Sequence, residues 1–193
     1  MKSKMFFILV CLLPAVSINA QTYKIDAGHS TIQVQVQRFG VVDVTGRFKA
    51  VTGTISFDAD SIANTKANVK IEVNSYDANN VGGEAAVKSK AFLDAETYPE
   101  ILFEGTGAVV KNKQYYLQGN LTIHGVTKAI ELPFTIIGPF LDLPTQKQSI
   151  AFNASITINR QDYGITFNRK LPNGTPLVSD QIQITIKVLG IGT

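Results

Sequence analysis

The chain has 193 residues, with 18 Lys and Arg against 15 Asp and Glu and a formal charge of +3. That length fits one domain, and basic residues scattered in nothing longer than a pair leave no footprint for nucleic acid. The only cysteine, Cys11, and both methionines, Met1 and Met5, fall near the start, so with His29 and His124 as the sole imidazoles the rest of the chain can build no blue-copper, iron–sulfur or Cys-ligated zinc site, and no disulfide framework.

Lys2 and Lys4 precede an apolar run from Met5 to Val16, and Ser17-Ile18-Asn19-Ala20 then leads into polar Gln21-Thr22. This is the pattern of a signal peptide, residues 1–20, cleaved after Ala20. The run is shorter than the ~20 residues a spanning helix needs and contains Pro14, which argues against a membrane anchor. No cysteine follows the cleavage point, so no lipoprotein anchor is expected either. An exported, periplasmic or secreted domain of residues 21–193 is the expectation.

Residues 31–37 alternate without error, with Ile32, Val34 and Val36 on one face and Gln33, Gln35 and Gln37 on the other. That two-residue period marks a half-buried strand. The same period runs through residues 41–48, 54–58 (Ile55, Phe57) and 68–74 (Val69, Ile71, Val73). At residues 81–92 it breaks: Val81, Glu84, Lys88 and Phe92 fall at helical spacing in a stretch rich in Gly and Ala, which predicts one short helix. Strand patterning resumes in residues 100–105 (Ile101, Phe103), 114–124 (Leu117, Leu121, Ile123) and 128–137 (Leu132, Phe134, Ile136). It ends with residues 149–159 (Phe152, Ile156) and 181–189 (Ile182, Ile184, Ile186). Residues 138–148 and 169–180, each with two prolines, predict irregular loops.

Eight or nine such strands with short polar connections favour antiparallel, meandering pairing. A closed barrel or a sandwich must result, and the expected fold is all-β: an extended antiparallel barrel of about eight strands with one short helix. Closure removes the exposed strand edges, and a barrel of that size is either filled by its own side chains or holds one ligand. Periodicity alone does not separate those outcomes.

Several short stretches then align in order: Tyr23-Lys24-Ile25-Asp26 with His29-Ser30, Gly46-Arg47-Phe48, Gly53-Thr54-Ile55, Lys88-Ser89 with Phe92, and Tyr98-Pro99. Leu121-Thr122-Ile123-His124-Gly125-Val126-Thr127 and Asn159-Arg160 with Asp162-Tyr163-Gly164 follow. From about Tyr23 to Leu189 the chain resembles the YceI-like family of bacterial periplasmic lipid-binding proteins. The resemblance implies a lipocalin-like barrel whose interior takes a polyisoprenoid chain, such as an isoprenoid quinone or a prenyl phosphate, with no cofactor besides that lipid. Two departures concern the head group. Where the family commonly carries Arg-Asp-x-His-Leu, this chain has Gly83-Glu84-Ala85-Ala86-Val87, and where many members carry a His after the first strand it has Arg38-Phe39-Gly40.

On this reading the candidate lipid-lining residues are Val34, Val36, Phe57, Val69, Ile71, Phe103, Leu121, Ile123, Phe134, Phe152, Ile156 and Ile184. Arg38, His29, His124 and Arg160 are head-group candidates. His29, His124 and Arg160 each have a plainer reading. The two histidines sit beside turn-like residues without a third ligand, so no metal site is expected, and Arg160 can pair with a rim carboxylate. No Ser–His–acid grouping stands out, since Ser30 adjoins His29 on a strand and so faces away from it, and no Gly-x-Ser-x-Gly motif occurs. A carrier rather than an enzyme is expected, as a monomer or homodimer that touches membranes transiently. The alternative is an envelope adaptor with a filled barrel.

Overall fold

The computed structural model describes residues 20–193. The leader expected over residues 1–20 lies, except for Ala20, outside the described residues.

Three strands open the chain: β1 (Gln21–Arg38), β2 (Val42–Phe48) and β3 (Val51–Phe57). Next come β4 (Lys66–Glu72), the two-residue β5 (Tyr76–Asp77) and the helix α1 (Val81–Lys88). A long meander completes the fold: β6 (Glu100–Lys111), β7 (Gln114–Ile123), β8 (Val126–Asp142), β9 (Lys147–Asn159) and β10 (Val178–Gly192). All pairings are antiparallel, and β10 returns to β1, which closes an eight-stranded barrel.

β1 is the seam. One edge pairs with β10 along its length, while the other pairs with β3 over its first residues and with β2 from Ile32 onward. β2 and β3 thus form one interrupted strand, and β4 and β5 form another beside it. The sequence hid the first half of β1 because its period is broken at residues 27–30, where the register against β10 slips between Asp26 and Thr31.

α1 starts where expected. The Asn80 side chain accepts from the Gly83 N–H, and Glu84 Oε1 accepts from the N–H groups of Ala78 and Asn80, a reciprocal cap. It ends at Lys88 rather than Phe92, because Ser89 turns extended and its hydroxyl donates to the Ala86 carbonyl. The expected loop at residues 138–148 is mostly strand, since Phe140 pairs with Ser149 and Asp142 with Lys147, leaving residues 143–146 to turn.

The solid core sits at one end. Tyr23, Ile55, Leu117, Phe134 and Ile150 are almost fully buried where β1 begins and β10 ends, and Phe134 stacks on Phe152 with ring centroids 5.1 Å apart. This end is the floor. α1, the β1–β2 turn and residues 165–177 gather at the opposite end, the mouth.

Candidate functional site

Above the floor the barrel is hollow. The cavity measures about 690 Å³ and is lined almost wholly by aliphatic and aromatic side chains, a size within the ~300–1,000 Å³ common for small-molecule pockets. Strand alternation places the lining. Val34 and Val36 come from β1, Val69 and Ile71 from β4, Phe103 from β6, and Leu121 and Ile123 from β7. Phe152 and Ile156 from β9 and Ile184 from β10 complete the circuit among the residues expected from the sequence. Val34, Val36, Val69, Phe103, Ile156 and Ile184 are only half-buried although they point inward, because they face empty space rather than packed atoms.

Phe57 and Phe134 are corrections. Both are buried, but neither reaches the cavity: Phe57 lies beside Gln21 and Phe134 between Tyr115 and Ala154, so they fill the floor. Inward periodicity gives the face of a strand, not the height along the barrel.

The four head-group candidates part company. Only Arg38 and Arg160 line the cavity. Arg38 is exposed at the rim, its guanidinium stacked 4.6 Å above the Phe39 ring. Arg160 is 4% exposed and already engaged: Nε donates to the Ser179 carbonyl, Nη1 to that of Ile165, and Nη2 to those of Phe167 and to Asp180 Oδ1. It ties residues 165–167 and the start of β10 into the mouth.

Both histidines lie outside the cavity. His29 Nδ1 is 2.7 Å from Asp26 Oδ2 in the β1 bulge, where Gly28 N–H also donates to Asp26. The hydrogen bond to Asp26 raises the imidazole pKa above its usual 6.5, and the same bond holds the Asp26 carboxyl below 3.8. His124 and Gly125 form the two-residue β7–β8 hairpin, both with positive φ (51° and 73°) as a primed turn requires. His124 Nδ1–H donates to the Tyr163 carbonyl at 3.3 Å and its ring meets the Tyr98 ring edge-on. The Leu-Thr-Ile-His-Gly-Val-Thr stretch is thus a hairpin docked on its neighbours.

Several lining residues escaped sequence reading. Gly82, Gly83, Ala86 and Val87 of α1 roof one side, and Phe92 and Phe167, 4.8 Å apart, meet over the mouth. The available signal was an aromatic in each of two otherwise largely polar stretches, Phe92 after α1 and Phe167 before β10. Tyr76 was missed too. Its ring crosses the inner face of β2, packs 5.3 Å from Phe48, and takes the place of a side chain at Gly46, where an added β-carbon would stand 2.2 Å from the Tyr76 hydroxyl. That explains the Gly46-Arg47-Phe48 triplet: Gly46 and Phe48 accommodate Tyr76 inside, while Arg47 and Lys49 reach Asp77 outside.

Residues 23–189 match the YceI-like domain. A relative from Vibrio parahaemolyticus, UPF0312 protein VPA0850, is 32% identical over 170 residues, covering 86% of this chain and 89% of that protein. Among solved structures, Burkholderia cenocepacia BcnA superposes with a TM-score of 0.74 at 23% identity, over 86% of this chain and 98% of its own. A structure described as a polyisoprenoid binding domain from Saccharophagus degradans superposes with a TM-score of 0.68 at 17% identity, over 90% of this chain and 99% of its own. The sequence match over nearly all the described strands, and the shared barrel, converge: the chain belongs to the YceI-like domain family.

Proposed function

We propose that this protein binds a long apolar lipid, an isoprenoid quinone or prenyl phosphate, inside the barrel and carries or stores it in the periplasm or outside the cell. The observation that carries the reading is the hollow above the floor, with an apolar wall contributed by strands all round the circuit and by α1. A barrel packed solid would have favoured the adaptor. Burying a hydrocarbon chain yields about 0.8 kcal/mol per methylene-sized unit, so ten units supply roughly 8 kcal/mol before association costs, enough for micromolar binding. The description of the Saccharophagus degradans neighbour as polyisoprenoid-binding supports this choice of ligand. The chemistry is burial, and Arg160, the buried charge of the lining, is engaged in tying the mouth together.

The test is extraction. The protein purified after export, treated with organic solvent and examined by mass spectrometry, is expected to release an isoprenoid lipid. Recovery of no lipid, with no binding of added quinone or prenyl phosphate, rejects the reading.

A further inference from the structure

The lining itself shows where the cavity meets water. Its exposed members are Arg38, at the end of β1, and Asn80, Gly82, Ala86, Ser89 and Ala91, on and beside α1, so the cavity opens between those two elements. The lips of this opening are apolar at their tips. Val41, in the turn after β1, is 79% exposed, and Val81, the first residue of α1, is 86% exposed, with Val42 exposed beside Val41. Scattered valines on a protein surface need no explanation, but these flank the entrance to an apolar interior.

The same lips carry cations without partners. Residues 38–43, 81–91 and 165–177 hold Arg38, Lys88, Lys90, Arg169 and Lys170 against two acids, Asp43 and Glu84. None of these cations forms an ion pair among the described residues. Both acids are engaged, Asp43 by the Gln35 amide and Glu84 by the α1 cap. The three pieces are joined: the Phe39 N–H donates to the Leu177 carbonyl and the Leu177 N–H to that of Arg169, while Phe92 meets Phe167. A second exposed apolar group, Ile137, Leu141 and Leu143 of the β8–β9 hairpin, lies at the floor, where no cavity opens and Asp142 stands against Lys147.

We propose that these lips dock on a bilayer with anionic head groups: Val41, Val42 and Val81 enter the head-group region while the cations meet lipid phosphates. Cations alone would suit an acidic protein equally well. The exposed valines and the opening between them favour a bilayer, because an apolar ligand then passes between membrane and cavity without crossing water. The docking face stands on the surface itself, and its use in loading or unloading rests on the carrier reading of the barrel.

Vesicle sedimentation of the protein purified after export tests the docking. Vesicles of phosphatidylglycerol and phosphatidylcholine in equal parts are expected to bind it about tenfold or more tighter than phosphatidylcholine alone, and less so as salt is raised. The triple variant Lys90→Gln, Arg169→Gln, Lys170→Gln is expected to lose most of that difference. Val41→Ser with Val81→Ser is expected to weaken binding to both vesicles, and Leu141→Ser with Leu143→Ser at the floor to change neither. All seven side chains are exposed and none lines the cavity, so each variant is expected to fold as the parent does. Equal binding to the two vesicles, or losses in the floor variant with none at the mouth, overturns the proposal. Binding to soluble polyglutamate but to neither vesicle also overturns it and makes the partner an acidic protein. Extraction keeps docking and carriage apart: lipid recovered from a protein that fails to dock rejects the docking face alone, and docking without recovered lipid upholds the face and rejects the cargo.

Discussion

Between Asp26 and Thr31, where β1 slips against β10, side chains stitch the gap. The Ser30 hydroxyl donates to the Asp26 carbonyl and accepts from the Leu189 N–H across the seam, while the Asp26 carboxylate takes Gly28 N–H and the His29 ring. The spacing Asp26, His29, Ser30 was readable as a motif, but its purpose was not, because a bulge exists only once two strands are in register. His29 is 77% exposed, so the pair is screened and its effect is small. Its pH dependence is nonetheless fixed in sign. The raised His29 pKa contributes stability that is complete below the usual 6.5 and fades as pH rises through the folded value. The lowered Asp26 pKa contributes stability present above 3.8 that fades as pH falls through the folded value. Urea midpoints measured from acid to mildly alkaline pH are therefore expected to separate the protein from its His29→Ala variant most near about pH 5 and to converge at both ends.

α1 is the element least bound to the rest. It buries no residue and packs mainly on the short β5, yet it roofs the cavity. Two glycines stand in its first turns, and neither is demanded by the backbone: an added β-carbon at Gly82 or Gly83 would meet only Asn80, at 3.5 Å or beyond. Each glycine lowers helix stability by about 0.5–1 kcal/mol relative to alanine. Hydrogen exchange followed by mass spectrometry is expected to show the amides of α1 exchanging well ahead of those of β7 and β9, whose ladders are paired on both edges. Equal protection of α1 and these strands would contradict the reading. The helix start was legible in the sequence from Asn80 and Glu84. Its end was not, because Lys88, Ser89 and Phe92 keep helical spacing while the chain has already turned toward Phe167.

The molecule as a whole divides into a solid floor and a hollow upper barrel, and substitutions of similar size are expected to separate the two. Phe134→Ala empties a packed site beside Phe152 and Tyr115 and should cost about 3–5 kcal/mol. Ile184→Ala removes atoms that already face the cavity, so little new void forms and the cost should be nearer 1 kcal/mol. Urea unfolding of the two variants measures the difference, and similar losses would mean the upper barrel is packed as tightly as the floor. By itself the sequence determined most of the strands and the inward face of each, because apolar alternation is local and survives in any register, whereas closure is the pairing of β10 with β1. Of the twelve lining residues the sequence nominated, ten ring the cavity. Only the tertiary structure decided which inward residues are floor and which are wall, and that Arg160 is spent on Ser179, Ile165, Phe167 and Asp180. Height along the barrel and the satisfaction of a polar atom depend on how separate strands are staggered against one another, and no single segment carries that stagger.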